Sequence, residues 1–242
     1  MSRAPFVRLF YFFLLIILIN QKALAFTTIG FGAFQGYQTI KQSEDIFLTT
    51  STLASTPTIG VQFQLQQTIG SRYAFRLKYE KINVKFITPP NGFSLTAETF
   101  QTQNIITEYA FAHNLHWQSF IKIAWKERIL YNLDINLAFH LYKAKLHEYG
   151  YGFAYDTQNL GGLVLGAGAS ISLLQFDSHN LNNVTEKNLG ADFELRGKLG
   201  WIYEIGWGNI LRVSYNTFYM PMDHQSNVGQ ELRFFGEFVK TF

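Results

Sequence analysis

The feature that most constrains this chain is an alternation of apolar and polar residues that recurs in many segments. From Leu189 to Ile205, one set of alternate positions is uncharged and mostly apolar, whereas the other set carries most of the charges. The segments Leu163 to Leu173 and Tyr131 to Tyr142 repeat the pattern. Successive side chains of a β-strand point to opposite faces, so each segment predicts a strand with one apolar face. We therefore predict an all-β fold.

The N-terminus predicts an export signal and not part of the fold. Arg3 and Arg8 flank the start of an unbroken apolar run, Leu9 to Ile19, and a small-residue site ends at Ala25. The run is shorter than the roughly 20 residues of a spanning helix, so we predict a signal peptide over 1–25 and cleavage after it. Residues 26–242 would then form one domain. No later run approaches the length of a membrane helix, so a mature chain in a membrane would have to form a closed barrel.

Turn residues divide the remaining chain into strand-length segments. The predicted strands are 27–37, 57–67, 72–88, 98–111, 116–125, 130–142, 160–175, 189–206, 210–220 and 229–242. Bacterial membrane barrels have even strand numbers, with short turns at one end and longer loops at the other. The exception here is a long connection at 143–159 on the short-turn side and a very short loop at 126–129. We predict a transmembrane antiparallel up-and-down β-barrel of about ten strands, with eight or twelve as open alternatives.

Alternation alone does not decide whether the apolar face points outward to lipid or inward to a core, as in a soluble lipocalin-like barrel. Two observations favour lipid. The apolar faces carry Trp and Tyr near strand ends, including Trp117, Trp125 and Trp201, as the interfacial girdles of membrane barrels do. The polar face is rich in glycine, as at Gly166 and Gly168, which suits the concave side of a narrow barrel. We therefore expect the apolar face to contact lipid.

The last segment of the chain carries a family resemblance. Phe234, Phe238 and Phe242 share one face of the last predicted strand, and Phe242 is the final residue. This resembles the terminal strand of Gram-negative outer-membrane β-barrel proteins, of the small surface-antigen or OmpA-like type. The resemblance implies an outer-membrane location, with Phe238 and Phe242 as an assembly signal for the barrel-assembly machinery. Lys240 departs from the pattern, because an apolar residue is usual there, although its ammonium group can extend to the membrane rim.

The polar face of the predicted barrel carries charges of both signs. The predicted barrel-interior charge network consists of Arg72, Arg76, Asp192, Glu194, Arg196, Lys198, Arg212, Glu231 and Arg233. An isolated buried charge is very costly, so we expect nearly every one of these to have a partner of opposite charge. Barrels of about eight strands are filled by side chains, whereas open channels need about 16 strands. About ten strands therefore favours a filled interior over a narrow pore.

Residues that suggest catalysis or metal binding are sparse. Two pairs fall in predicted outer loops: Asp177 with His179, and Asp223 with His224. A rim protease of the omptin type uses Asp and His in such loops, but its flanking signatures are missing here. His113 and His116 form a lone pair, whereas structural zinc sites normally have four ligands. With no cysteine and no phosphate-binding glycine loop, the sequence predicts no catalytic residue, no cofactor and no metal site.

Charge and composition narrow the expected partners. The net charge of +3 is scattered and forms no basic stripe, which argues against nucleic acid. Only 15% of residues are charged, against about one quarter in an average soluble domain, so we expect a large surface in lipid. We predict a non-enzymatic outer-membrane barrel with a structural or surface-exposed binding role. An extracellular ligand would meet the outer loops, chiefly 38–56, 177–188 and 221–228. A narrow porin-like channel and a rim-located hydrolase are the alternatives.

Overall fold

The computed structural model describes residues 27–44, 50–86, 99–133, 139–160, 162–179, 185–222 and 225–242. The strands are β1 (Thr27–Glu44), β2 (Thr50–Ala54), β3 (Thr58–Ile69), β4 (Tyr73–Lys85), β5 (Thr99–Ala112), β6 (Trp117–Leu133), β7 (Phe139–Leu160), β8 (Leu163–His179), β9 (Thr185–Ile202), β10 (Trp207–Met222) and β11 (Gln225–Thr241). Within these ranges, no helix has the length and apolar character needed to cross a membrane. The predicted signal peptide lies outside the described residues.

The two ends of the barrel differ. Thr27 and Phe242 meet at one end, where the backbone N–H of Phe242 donates to the carbonyl of Thr27 at 2.9 Å. We call this the terminal end. Gly70 and Gly206 lie in its tight turns with φ of 61° and 79°, a backbone conformation that glycine adopts without steric cost. We call the opposite end the loop end; β1, β4, β6, β8 and β10 run toward it.

The strands close into a barrel by antiparallel pairing of neighbours, with β11 paired to β1. The short strand β2 pairs with the loop-end part of β1, and β3 pairs with the rest of it. Ser55 lies between β2 and β3, and its Oγ accepts a hydrogen bond at 2.9 Å from the backbone N–H of Gln38 in β1. Together β2 and β3 occupy one position in the wall. The fold is thus a closed, up-and-down, ten-stranded barrel with one extra short strand, and the prediction of about ten strands is confirmed.

The strands are strongly staggered. Starting at Thr28 of β1 and moving across the strands, the register passes through Gln66, Arg76, Glu108, Lys122, Gly150, Ser172, Asp192, Phe218 and Gly229, and returns to β1 at Ile40. The return point lies twelve residues further along β1, and this offset is the shear number. Such a stagger on ten strands tilts them by roughly 40° and leaves a lumen narrow enough for side chains to fill.

Two predicted boundaries in the middle of the chain are wrong. The segment 126–129, predicted as a loop, lies inside β6, and the segment 143–159, predicted as a connection, lies inside β7. The strand predicted over 130–142 joins the end of β6 to the start of β7 across 134–138, which lies outside the described residues. That stretch contains neither glycine nor proline and keeps the apolar alternation in phase, so neither of the two strongest turn residues marks a turn there.

The predicted outer loops are also too long. Within the predicted loops 38–56, 177–188 and 221–228, strands cover 38–44, 50–54, 177–179, 185–188, 221–222 and 225–228, while 45–49, 180–184 and 223–224 lie outside the described residues. The strands continue into these polar-looking segments with mixed inward positions, since Ile40 and Leu53 are buried there and so are Gln42 and Asn227. A search for apolar residues at only one of the two alternating sets of positions misses such strand ends.

The apolar side chains of the alternating pattern point outward, as expected for a barrel in lipid. On β8, Ile171 and Leu173 point outward and are 65% and 51% exposed, whereas Ser170 and Ser172 point into the lumen and are buried. The other strands repeat this arrangement over much of their length. A soluble barrel with an apolar core would show the opposite sense, so the lipocalin-like alternative does not fit this part of the wall.

Candidate functional site: the interior of the barrel

An apolar band surrounds the outside of the barrel at its terminal half. On β6 the band begins with Trp117, continues through Ile121 and Ile123, and ends at Trp125. The two tryptophans are separated along the barrel axis by roughly 20 Å, from about 3.3 Å per residue and the strand tilt. Aromatic side chains crowd the terminal edge, where Trp207 stacks on Phe238 with ring centroids 4.9 Å apart. Membrane barrels have such a band, about 25 Å tall with aromatic girdles.

Beyond the band, toward the loop end, the wall reverses its polarity. On β8, Leu174 and Phe176 point inward and are buried, while Asp177 points outward and is exposed. On β7 the inward positions are Ala144 and Leu146, with lysines at the outward positions between and beside them. This section therefore has the polarity of a water-soluble barrel. The change marks the level at which the surroundings of the wall change from apolar to aqueous.

Inside the reversed section, buried apolar side chains from seven strands belong to one cluster, which also extends to Phe34 and Phe235 nearer the terminal end. We call its inward-facing members in the reversed section the apolar plug: Ile40, Leu53, Ile82, Val84, Phe86, Leu130, Ala144, Leu146, Leu174, Phe176, Phe218 and Met220. Leu146, Leu174 and Met220 have no exposed surface, and Phe218 has 1%. Among the described residues, packing of this completeness leaves no water-filled passage through the layer. The plug thus closes the lumen at the loop end.

Directly below the plug, a chain of ion pairs crosses the lumen. Arg128 Nη2 lies 2.8 Å from Asp192 Oδ2, and the same oxygen is 3.5 Å from Lys126 Nζ. Lys126 Nζ lies 2.5 Å from Glu148 Oε2, and Lys122 Nζ lies 2.5 Å from Glu148 Oε1. Because the cations all lie on β6 and the carboxylates lie on β7 and β9, the chain ties β6 to its neighbour β7 and, across the lumen, to β9. The guanidinium of Arg128 also stacks on the Phe218 ring at 4.2 Å, which joins the ion pairs to the plug.

A second group of ion pairs lies on the side of β11. Arg233 contacts two carboxylates, with Nη2 2.7 Å from Glu231 Oε2 and Nη1 2.9 Å from Glu80 Oε2. Arg212 Nη2 lies 2.8 Å from Glu237 Oε2. These contacts link β4, β10 and β11 around the point where the barrel closes. They hold the seam between the first and last strands from inside.

The third group surrounds Glu108, nearer the terminal end. Arg196 Nη1 lies 2.5 Å from Glu108 Oε1, and Arg76 Nη1 and Lys78 Nζ each lie 3.4 Å from this carboxylate. Lys198 pairs separately with Asp156. In the described lumen, nine cationic side chains of these groups face eight anionic ones, counting the partners named above together with Glu194, which lies 3.0 Å from Lys122 Nζ. The near balance keeps the cost of burying so many charges low.

The structure places most of the predicted network inside the barrel. Arg76, Asp192, Glu194, Arg196, Lys198, Arg212, Glu231 and Arg233 all point into the lumen and take part in ion pairs. Arg72 does not: it lies in the exposed turn between β3 and β4, and its carbonyl accepts a hydrogen bond from Ala112 N. The predicted strand began one residue too early, so Arg72 was assigned to the wall instead of the turn.

The sequence reasoning missed another set of interior charges: Glu108, Lys122, Lys126, Arg128, Glu148 and Asp156. Most lie in β6 and β7, where the predicted strand boundaries were wrong. A signal was available on β6, since Lys122 and Lys126 alternate with Ile121, Ile123 and Trp125. Within the predicted strand 116–125 this alternation already puts Lys122 on the lumen side, and continuing it past residue 125 puts Lys126 there as well.

Below the ion pairs, the terminal half of the lumen contains a cavity of about 100 Å³. Its wall on β8 is formed by Gly166 and Ala167, and a Cβ at Gly166 would press on the side chain of Lys198. A Cβ at the neighbouring Gly168 would press on the side chain of Arg196. Lys198, though inside the barrel, is 26% exposed, whereas the plug residues are buried. The cavity is therefore reached from the terminal end.

The candidate residues for rim chemistry are not brought together in the described part of the structure. Asp177 points outward and lies opposite Lys187 on β9. Asp223, His224 and the side chain of His179 lie outside what the structure describes. His113 and His116 are at the terminal end, and His113 Nε2 pairs with Ser119 Oγ at 3.0 Å.

The terminal aromatic residues lie on the outer surface. Phe238 is 49% exposed and stacks on Trp207, and Phe242 is exposed at the terminal edge. Lys240, the departure from the expected terminal pattern, occupies an outward position of β11 near the rim, in the same alternation as Phe238. Its ammonium group donates to the carbonyl of Ile205 at 2.6 Å and lies 4.7 Å from the Trp207 ring centre. The lysine thus reaches the polar end of the wall.

No protein-family model matches the chain, and no curated protein sequence matches it. Solved structures do match. The outer-membrane protease OmpT from Escherichia coli superposes with a TM-score of 0.52 at 6% identity, over 90% of this chain and 96% of that one. Neisserial surface protein A gives 0.37 at 11% identity, over 88% and 97%. Ail, the attachment invasion locus protein of Yersinia pestis, gives 0.32 at 12% identity, over 90% and 99%.

At these identities the likeness concerns the fold alone. The likeness to OmpT, an outer-membrane protein, confirms the expected resemblance to this type of barrel at the level of the fold.

Proposed function

We propose that this chain is an outer-membrane barrel that does not conduct and that presents its loop end to the outside as a binding surface. The apolar plug is the observation that carries this proposal, because it fills the lumen between the charged interior and the loops. A barrel closed in this way does not serve as an open pore. The working surface is then the loop end.

The wall above the apolar band supports a role in presentation. β7 continues for ten residues from Tyr149 at the band to Phe139 at the loop end, which corresponds to roughly 25 Å along the axis. The plug and the ion pairs below it make this section rigid. Loops carried on it would stand clear of the lipid surface, and rigid scaffolds with variable loops are common as binding surfaces.

The location is part of the same proposal. A signal peptide over 1–25 would export the chain, the exposed aromatic side chains of Phe238 and Phe242 would serve as the signal for the barrel-assembly machinery, and the apolar band would contact outer-membrane lipid. Such a protein should be found in the outer-membrane fraction and should change its gel mobility on boiling. Recovery in the aqueous fraction without a mobility change would contradict the membrane location.

Conductance in planar bilayers tests the closed lumen. We expect the refolded protein to give no stable conductance steps, because ions cannot cross the plug. The double variant Phe218→Ala/Met220→Ala removes two plug side chains and should produce steps. The matched control is the lipid-facing change Ile171→Ala, which leaves the plug intact and should stay silent. Regular steps from the unaltered protein would contradict the proposal.

A second candidate is a narrow channel that opens when the plug moves. The observation in its favour is the cavity of about 100 Å³, which shows that side chains do not fill the terminal half of the lumen. The same bilayer recording separates the two functions. A gated channel would show rare openings of one fixed size in the unaltered protein, and the plug variant would make them more frequent without changing their size.

A further inference from the structure

The cavity in the terminal half of the lumen is lined unevenly by charge. Seven cationic side chains and four anionic ones line it: Arg76, Lys78, Lys126, Arg196, Lys198, Arg212 and Arg233, against Glu80, Glu108, Asp156 and Glu194. Three of these cations also pair with carboxylates outside the lining: Arg212 with Glu237, Arg233 with Glu231 and Lys126 with Glu148. Because Glu80 and Glu194 are partners of Arg233 and Lys122, the excess falls on the remaining four cations, which share Glu108 and Asp156. An excess of buried charge is unfavourable unless an ion of opposite sign compensates it.

The excess of positive charge is largest around Glu108, where three cations share one carboxylate. Arg196 takes the short contact of 2.5 Å, and Arg76 and Lys78 stand at 3.4 Å. Arg76 has two further partners, Gln66 at 3.0 Å and Gln118 at 2.8 Å. For Lys78, the contact with Glu108 is the one ion pair that the described residues provide. Its ammonium group therefore has donors left for a ligand.

Two guanidinium groups beside the cavity also have donors left. Among the described residues, nothing accepts a hydrogen bond from Arg196 Nη2 or from Arg212 Nε. Both groups are held in place by their other contacts: Arg196 lies over the Phe120 ring at 4.1 Å, and Arg212 Nη1 donates to Gln64 Oε1 at 2.7 Å. A fixed guanidinium with a free N–H binds an oxyanion at little cost in conformational entropy.

We propose that the terminal half of the lumen binds one small oxyanion of the phosphate class, held by Lys78, Arg196 and Arg212. A water molecule takes about 30 Å³ in the liquid, so a cavity of about 100 Å³ has room for one tetrahedral oxyanion. The anion enters from the terminal end, because the plug closes the other end. This binding is independent of the proposed role of the loop end.

Calorimetric titration with inorganic phosphate tests the site in the refolded full-length barrel in a non-ionic detergent, at constant ionic strength. We expect one phosphate per barrel and no comparable heat from chloride. Arg196→Gln and Lys78→Met should each weaken binding by about tenfold or more, because each removes one charged donor. The matched control Lys41→Gln removes a lysine from the exposed outer wall and should leave the affinity unchanged.

Each variant is first checked for the mobility change on boiling, so that binding is compared among folded barrels. Two separate variants are used because one of them could fail this check. If phosphate gives no binding heat, or if the folded Arg196→Gln or Lys78→Met barrel binds with unaltered affinity, the proposal is overturned. A loss of affinity in Lys41→Gln equal to that in the cavity variants would also overturn it, since binding would then depend on overall charge.

Discussion

Removing the negative charge of Glu148 should be one of the most damaging single changes in the barrel. Glu148 has no exposed surface, and its two oxygens lie 2.5 Å from Lys122 Nζ and Lys126 Nζ. Glu148→Gln keeps the shape but leaves Lys122 with Glu194 at 3.0 Å and Lys126 with Asp192 at 3.5 Å. Removing one partner of a buried pair costs about 3–5 kcal/mol. We expect a loss of about 4 kcal/mol in the free energy of unfolding.

Urea unfolding of the barrel refolded in lipid vesicles, followed by tryptophan fluorescence, measures this loss. The matched control is Asp177→Asn, which also neutralises a carboxylate opposite a lysine, but on the exposed outer wall. Surface pairs contribute about 0–1 kcal/mol, so the control should change little. Adding Lys126→Met to Glu148→Gln should restore part of the stability, because it removes one of the two lysine charges that lose Glu148 as a partner. A loss below about 1 kcal/mol for Glu148→Gln would refute the reasoning, since it would mean that water reaches this layer.

Two further substitutions test the wall. Ile121→Lys places a charge midway between the two tryptophans of β6 and should cost about 2–4 kcal/mol in vesicles, whereas Gln103→Lys, outside the band, should cost almost nothing; equal effects would contradict the position of the band. Gly229→Ala should cost about 1–3 kcal/mol in urea unfolding, because the new Cβ would overlap the Phe218 ring of the plug. Gly236→Ala, whose Cβ meets nothing within 4 Å, is its control and should stay within about 0.5 kcal/mol.

The sequence predicted the barrel well because period-two alternation is a local property of each strand. Segments such as Leu189 to Ile205 have one apolar face along their length, and the structure makes this one a strand, β9, with its turn to β10. The interior pairs could not be predicted in the same way. Arg196 meets Glu108 across 88 residues of sequence, and this contact depends on the stagger of the whole wall. A local pattern contains no information on that stagger.

The plug was missed for a different reason, which also explains its place in the fold. On β4 the apolar residues Phe75, Leu77 and Tyr79 occupy outward positions, and a few residues later Ile82 and Val84 occupy inward ones. If apolar residues are sought only at the outward positions, the pattern ends at this point. If the inward positions are included, the pattern continues. In lipid the outer face must be apolar, and the lumen can hold paired charges. Above the lipid the outer face meets water, so the wall needs an apolar core to stay folded.

The residue at which apolar side chains change from outward to inward positions therefore marks the level at which the lipid ends on each strand. On β8 the change falls between Leu173 and Leu174, which point outward and inward respectively. If each strand changes phase at the same height, the changes must shift along the sequence from strand to strand by the stagger of the barrel. The sequence thus contains the membrane boundary once the register is known. The plug is then a consequence of a barrel that is taller than the lipid it crosses.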